Sequence, residues 1–251
     1  MIQAIRKNKI PEVTLLFWIM KICATTLGET AGDLLSMTLN VGYAISSVIL
    51  ISVFAFALGG QLLSKRYTPI LYWAVILATS TAGTTMSDYM DRTLGLGYAT
   101  GSLILTTILV TVLCIWYYSE KSLSVSSIET FKGEMFYWTA ILFSNTLGTA
   151  LGDFLADNSG LGFAGGAILI SSILTLVVLT HYFTKISSIV LFWIAFVLTR
   201  PFGATFGDLL TKTHNKGGLG FGTKDSSLIL FAILAGLIIY ETSRKKIASK
   251  Q

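Results

Sequence analysis

The chain has 251 residues, of which 53% are hydrophobic and only 12% are charged, and its formal net charge is +5. Soluble domains carry about twice this share of charged residues, so the composition excludes an ordinary soluble protein and predicts an integral membrane protein. The sequence has no Ser-His-Asp, paired-Cys or His-x-x-x-His pattern. We therefore expect a lipid bilayer as the main partner, and no enzyme activity, cofactor or nucleic-acid partner.

Apolar runs of about 20 residues, the span of a membrane helix, recur along the whole chain. Only helices satisfy the backbone over such lengths in lipid, so we predict an all-α membrane protein with a single transmembrane domain of eight helices. Lys21 interrupts the first run and no cleavage site follows, which argues against a cleaved signal. The eight runs cover 13–36, 41–63, 69–90, 96–118, 135–156, 161–183, 187–210 and 227–243.

The chain repeats itself four times. A tryptophan and, 15 residues later, an aspartate recur with separations of 55, 65 and 55 residues, and a Gly-x-x-x-Gly or Gly-x-x-x-Ser element precedes each aspartate. Such self-similarity predicts four parallel two-helix repeats, pseudo-symmetric about an axis along the membrane normal. The repeats are 13–63, 69–118, 135–183 and 187–243, with a polar linker between the halves at 119–133. Their markers are Trp18, Trp73, Trp138 and Trp193, and Asp33, Asp88, Asp153 and Asp208.

The basic residues predict the topology. Of 18 in total, 12 fall on the side that holds both termini, and Lys21 and Arg200 fall within helices. The four in the outer loops on the opposite side are Arg92, Lys212, Lys216 and Lys224. The positive-inside rule then places both termini in the cytoplasm. The tryptophan near the start of each first helix suits the cytoplasmic membrane interface, where amphipathic rings settle. The small-residue elements predict faces where helices approach closely.

A polar stripe runs along the first helix of every repeat. Residues four apart share a helix face, and a polar face inside an apolar helix must point at protein or at a wet cavity. We therefore expect the four stripes to face a shared interior. Counted back in fours from each aspartate, the stripes are Lys21, Thr25, Glu29 and Asp33; Ser80, Thr84 and Asp88; Asn145, Thr149 and Asp153; and Arg200, Ala204 and Asp208.

The charges on these stripes do not balance. Four aspartates and Glu29 against Lys21 and Arg200 leave a formal −3, which a low-dielectric interior does not hold without protons or a cation. An all-oxygen lining suits a hard divalent metal such as Mn²⁺ or Mg²⁺, and we expect a transporter that carries such an ion as substrate. The candidate ligands are Glu29, Asp33, Asp88, Asp153, Asp208, Thr25, Thr84, Asn145 and Thr149.

Within this hypothesis the first repeat forms the principal site, with Asp153 or Asp88 opposite. Lys21 and Arg200 are internal counter-charges, and Arg200 is expected to hold Asp208 on the same helix. Three alternatives to this hypothesis remain open. In the first, each aspartate is a structural cap. In the second, the substrate is an organic cation or zwitterion, and in the third, the protein is a non-transporting scaffold that packs through its glycine faces.

The tandem two-helix repeats, each with its tryptophan at Trp18, Trp73, Trp138 or Trp193, resemble a bacterial family of multi-pass membrane proteins described only as a repeat of unknown function. The resemblance covers essentially the whole chain. It implies the repeat fold and a location in the bacterial inner membrane, and it implies no substrate.

Overall fold

The computed structural model describes residues 9–248, where the chain forms eight long helices and no strand. Arg6, Lys7 and Lys250, which contribute to the predicted cytoplasmic charge, lie outside the described residues. The helices are α1 (Leu15–Asp33), α2 (Tyr43–Leu63), α3 (Pro69–Asp88), α4 (Tyr98–Glu120), α5 (Phe131–Asp153), α6 (Gly162–Phe183), α7 (Ser188–Thr211) and α8 (Thr223–Ala248).

Five helices of the described chain, α2, α4, α6, α7 and α8, are long and apolar enough to cross a membrane. The prediction of an all-α protein with membrane-compatible helices is confirmed at this level. The other three, α1, α3 and α5, carry the polar stripes and bury most of their residues inside the protein.

The four first helices form a closed inner ring. Helix α1 packs against α3, α3 against α5, α5 against α7, and α7 returns to α1. The second helices surround this ring with a shift of one repeat. Helix α2 covers α3, α4 covers α5, α6 covers α7, and α8 covers α1. Each repeat therefore completes the next one, and the last helix of the chain completes the first repeat.

Glycines set the close spacing within the inner ring. A methyl group at any of four of them would come within 3.0 Å of the next inner helix, tighter than ordinary van der Waals contact allows. The small-residue elements thus serve the packing role that such spacing has in membrane helices. The contacts join Gly32 to Thr84, Gly83 to Asn145, Gly152 to Ala204 and Gly207 to Glu29.

The chain leaves the inner ring through an unusual turn. Directly after each of the first three aspartates the helix widens into one π-helical turn, at Leu34–Thr38, Tyr89–Thr93 and Phe154–Asn158. In the fourth repeat the α-helix instead continues to Thr211 and a longer loop follows. Single π-helical turns inside helices often mark functional positions.

The polar linker contains more structure than a free connection. Thr130 caps α5 by accepting a hydrogen bond from the Gly133 amide at 2.8 Å, so α5 begins inside the predicted linker. Val125 and Ile128 are buried. The Trp193 indole donates to the Leu123 carbonyl at 3.0 Å, which ties the linker to α7.

Three of the four repeat tryptophans are buried within the protein, whereas the prediction placed all four at the membrane interface. Trp73 and Trp138 are each 1% exposed, and Trp193 is also buried. The Trp73 indole donates to Glu241 of α8 at 3.1 Å, and Tyr72 and Tyr137 share a hydrogen bond of 2.6 Å between their hydroxyls. Because aromatic rings from neighbouring repeats pack on one another, they fill the N-terminal end of the inner ring.

A Gly83→Ala substitution tests the inner ring. Its methyl group would lie 2.9 Å from the backbone of Asn145 and Thr146, and we expect a loss of about 1–3 kcal/mol of stability from overpacking. Gly59→Ala in α2 is the control, because nothing lies within 4 Å of a methyl group there. Thermal unfolding of detergent-purified protein measures both variants. Equal behaviour of the two would contradict the close α3–α5 contact.

Candidate cation site

One guanidinium joins all four repeats at the centre of the inner ring. Arg200 of α7 is 0% exposed. Its Nη2 donates to Glu29 Oε2 at 2.9 Å, to Thr84 Oγ1 at 2.6 Å and to Thr149 Oγ1 at 2.6 Å. These partners belong to α1, α3 and α5, so the polar stripes meet at this level.

The Glu29 carboxylate is the anionic partner of Arg200. Its Oε2 also accepts hydrogen bonds from Thr84 at 3.3 Å and from Thr149 at 3.5 Å. A buried ion pair is tolerated when further hydrogen bonds support its members; the two threonines supply them at Nη2 and Oε2, while Arg200 Nε has no hydrogen-bond partner among the described residues. The expectation that Arg200 holds Asp208 is wrong, because the guanidinium points across the ring to α1 rather than along its own helix.

Two further cations compensate the four aspartates. Lys212 Nζ lies 2.6 Å from Asp33 Oδ2 and 3.0 Å from Asp208 Oδ1. Arg92 makes the equivalent contacts in the other half of the ring. Its Nε lies 2.9 Å from Asp88 Oδ1 and its Nη2 lies 3.0 Å from Asp153 Oδ2. Each cation thus pairs with the aspartate four residues before it and with the aspartate of the next repeat.

Sequence reasoning missed the roles of Arg92 and Lys212 because it assigned both to outer loops. The signal was present, since both continue the i, i+4 stripe by one turn beyond their aspartates. When Arg92 and Lys212 are added to Lys21 and Arg200, four basic groups face five acidic ones, and the formal charge on the stripes is −1. The interior therefore needs less compensation than the predicted −3.

Three carboxylates approach one another between α1 and α7. Glu29, Asp33 and Asp208 each offer one oxygen, and these oxygens all lie within 4.8 Å of one another. All three residues are buried. The predicted partners of the first repeat, Asp88 and Asp153, are held by Arg92 instead, and Asp208 takes their place. The geometry permits one cation to contact all three carboxylates.

Of the remaining predicted ligands, two contact one member of this carboxylate trio and two bond elsewhere. Thr25 donates to backbone carbonyls, including that of Thr199 at 3.2 Å. The Asn145 amide donates to Thr79 at 2.9 Å and lies nearer the aromatic end of the ring. Thr84 and Thr149 reach only Glu29 among the three carboxylates.

Lys21 does not act as the expected counter-charge to a carboxylate. Its ammonium donates to Asn145 Oδ1 at 3.4 Å and lies 4.1 Å from the centre of the Phe196 ring. Within the described residues, no carboxylate pairs with it at 4.0 Å or less. The side chain is fully buried, so an aromatic face and an amide oxygen are its main partners.

Fold and site define an all-helical protein of four tandem repeats, with helices able to cross a membrane and a charged interior. The chain belongs to the family described as Repeat of Unknown Function (DUF347), which matches residues 16–67, 71–122, 136–187 and 191–246. The predicted family resemblance is confirmed, repeat by repeat. No curated protein and no solved structure matches the chain at a significant level.

Double-mutant analysis tests the central ion pair. Arg200→Met leaves Glu29 buried without its cation, and Glu29→Gln leaves Arg200 without its anion. We expect each to cost about 3–5 kcal/mol. The double variant should lose much less than the sum, because neither charge is then stranded. Thermal unfolding in detergent measures all three.

Lys245→Met provides the control for this cycle. Lys245 lies 3.6 Å from Glu241 on α8 and its side chain is 49% exposed, so solvent screens its charge and we expect a loss of about 0–1 kcal/mol. Additive losses in the double variant would contradict the direct coupling of Arg200 and Glu29.

Proposed function

We propose that the protein is a multi-pass membrane transporter for a small cation. The observation that carries this proposal is the convergence of the Glu29, Asp33 and Asp208 carboxylates within 4.8 Å. Two like charges at that separation repel by about 3–4 kcal/mol at an effective dielectric constant of ~20. Arg200 and Lys212 compensate two of the three charges, and the formal −1 that remains inside apolar helices favours a further cation near the trio.

The donor atoms favour a hard divalent ion. The three carboxylates offer only oxygen, and the nearby Thr84 and Thr149 hydroxyls add further oxygens around Glu29. Oxygen ligands suit Mg²⁺ and Mn²⁺, whereas thiolate and imidazole ligands suit softer metals. Neither cysteine and neither histidine is part of the trio. We therefore propose Mn²⁺ or Mg²⁺ as the first substrates to examine.

We further propose that all eight helices cross the inner membrane of a bacterium, with both termini in the cytoplasm. Helices α1, α3 and α5 are too polar on one face to meet lipid alone. The inner ring and the covering helices α2, α4 and α8 enclose those faces. The approximate equivalence of the four repeats then corresponds to an axis along the membrane normal.

A second candidate, a non-transporting scaffold, has its own support. The four repeat aspartates are each buried and ion-paired with Arg92 or Lys212. Such pairs also suit a fixed core.

An organic cation remains the other substrate class, supported by the Tyr43 and Tyr98 rings, whose centres lie 6.0 and 5.6 Å from the Arg92 guanidinium carbon.

Transport by reconstituted protein tests the proposal. We expect proteoliposomes to move Mn²⁺ or Mg²⁺. The double variant Glu29→Gln, Asp33→Asn is reconstituted with the same amount of monodisperse protein as wild type, because Glu29→Gln also destabilises the fold, and it should lose this flux because two of three site charges are gone. Asp157→Asn is the control, since Asp157 is exposed and accepts a hydrogen bond from Tyr98 at 3.3 Å. A dye trapped in the vesicles reports the flux. Flux that survives the double variant would exclude this site, and no flux of any tested cation would favour the scaffold.

Reporter fusions test the orientation. A reporter that is active only outside the cytoplasm should be silent after Gln251, which lies outside the described residues, and active within Thr213–Gly218. The basic residues near both termini are the physical reason. Activity after Gln251 would contradict the predicted orientation and would place the aspartates nearer the opposite side of the membrane.

A further inference from the structure

The candidate site already contains a positive charge that belongs to the chain. Lys212 Nζ contacts Asp33 and Asp208, two of the three carboxylates of the trio, at 2.6 and 3.0 Å. We propose that the Lys212 ammonium is a tethered cation that occupies the substrate position and is displaced when a metal ion enters. This inference rests on the proposed function and names the residue that controls the affinity of its site.

The backbone around Lys212 allows the side chain to leave. Helix α7 ends at Thr211, and Lys212 is the first residue with extended backbone, at φ −69° and ψ 153°. The loop that follows, 213–222, is fixed to the end of α7, because the Gly220 amide donates to the Lys212 carbonyl at 2.9 Å, so outward movement uses only the side-chain torsions of Lys212. The Lys212 side chain is 16% exposed, whereas those of Asp33 and Asp208 are 3% and 4% exposed. The ammonium therefore lies between the carboxylates and the surface, and it can move outward without unwinding the helix.

The equivalent position in the other half of the ring is built differently. Arg92 lies within a π-helical turn, and two separate nitrogens of its guanidinium contact Asp88 and Asp153. Its guanidinium carbon is also within 6.0 Å of two tyrosine rings. The Arg92 side chain is more exposed than that of Lys212, 29% against 16%, so the difference lies in how each is held. A planar guanidinium held at several points is a fixed clamp, whereas a lysine ammonium is a compact point charge on a flexible stem. Lys212 is therefore the displaceable cation of the two.

Displacement has a measurable consequence for affinity. A site that is free for only a fraction of the time binds its ligand more weakly by that fraction. If the ammonium occupies the site about nine-tenths of the time, its removal raises the apparent metal affinity about tenfold. Removal also strands the negative charge of Asp33 and Asp208, so the metal then stabilises the protein more strongly.

Manganese binding to purified protein in detergent tests this inference. Free Mn²⁺ is counted by electron paramagnetic resonance in titrations of wild type, Lys212→Gln, Lys212→Arg and Lys216→Gln. We expect Lys212→Gln to bind Mn²⁺ about tenfold more tightly than wild type. Lys212→Arg keeps the charge and should not tighten binding. Lys216→Gln removes an exposed charge from the same loop and should leave binding unchanged.

A second measurement uses the wild-type chain and so does not depend on the folding of a variant. An amine-reactive ester is applied at fixed pH with and without bound Mn²⁺, and mass spectrometry follows each lysine. Displacement predicts that Mn²⁺ speeds the labelling of Lys212. Lys216 and Lys224, both exposed, serve as internal controls and should keep their rates.

The outcomes separate this inference from the proposed function. If Lys212→Gln binds Mn²⁺ more tightly but the wild type does not transport it, the tethered cation is supported and the proposed transport function is contradicted. Transport by wild type with equal or weaker binding by Lys212→Gln would overturn the tethered cation alone. Absence of Mn²⁺ binding in both proteins, or slower labelling of Lys212 with Mn²⁺, would also overturn it.

Discussion

A buried guanidinium organises the inner ring. Arg200 is fully enclosed and takes its partners from the three other inner helices. An enclosed charge is costly unless its hydrogen bonds are satisfied, so Glu29, Thr84 and Thr149 must all lie at one level. That requirement fixes the relative heights of four helices. The glycines then bring the backbones close enough for side chains of ordinary length to meet.

The charges above this level form two linked pairs rather than a ring of four equal acids. Lys212 joins the fourth repeat to the first, and Arg92 joins the second to the third. Compensation of this kind suits a fixed core, and in the proposed transporter it allows an entering metal ion to replace a cation of the chain. Replacing one bound cation by another costs far less than creating an uncompensated cluster in an apolar interior. Lys212 and Arg92 therefore carry the same charge in the two halves of the ring, but the lysine side chain is the more flexible of the two.

The sequence predicts the helices and repeats well because periodicity and duplication are local properties of a chain. Contacts between helices depend on rotation and height, which no single stripe encodes. Arg200 and Asp208 share a face about 12 Å apart, but the guanidinium turns sideways to α1, where Glu29 lies at 2.9 Å. Trp73 likewise suits a membrane interface by its chemistry. It is buried because Glu241 of the last helix reaches it.

The one-repeat shift of the covering helices has a consequence for biosynthesis. Helix α1 is synthesised with Glu29 and Asp33, yet their cations, Arg200 and Lys212, follow 171 and 179 residues later. At roughly 5–20 residues per second, translation needs about 9–36 s to supply them. Helix α8, which covers α1, emerges later still. The first repeat is therefore synthesised well before the residues that neutralise its carboxylates and the helix that covers it. During that interval the carboxylates of the first repeat lack the cations that hold them in the finished structure.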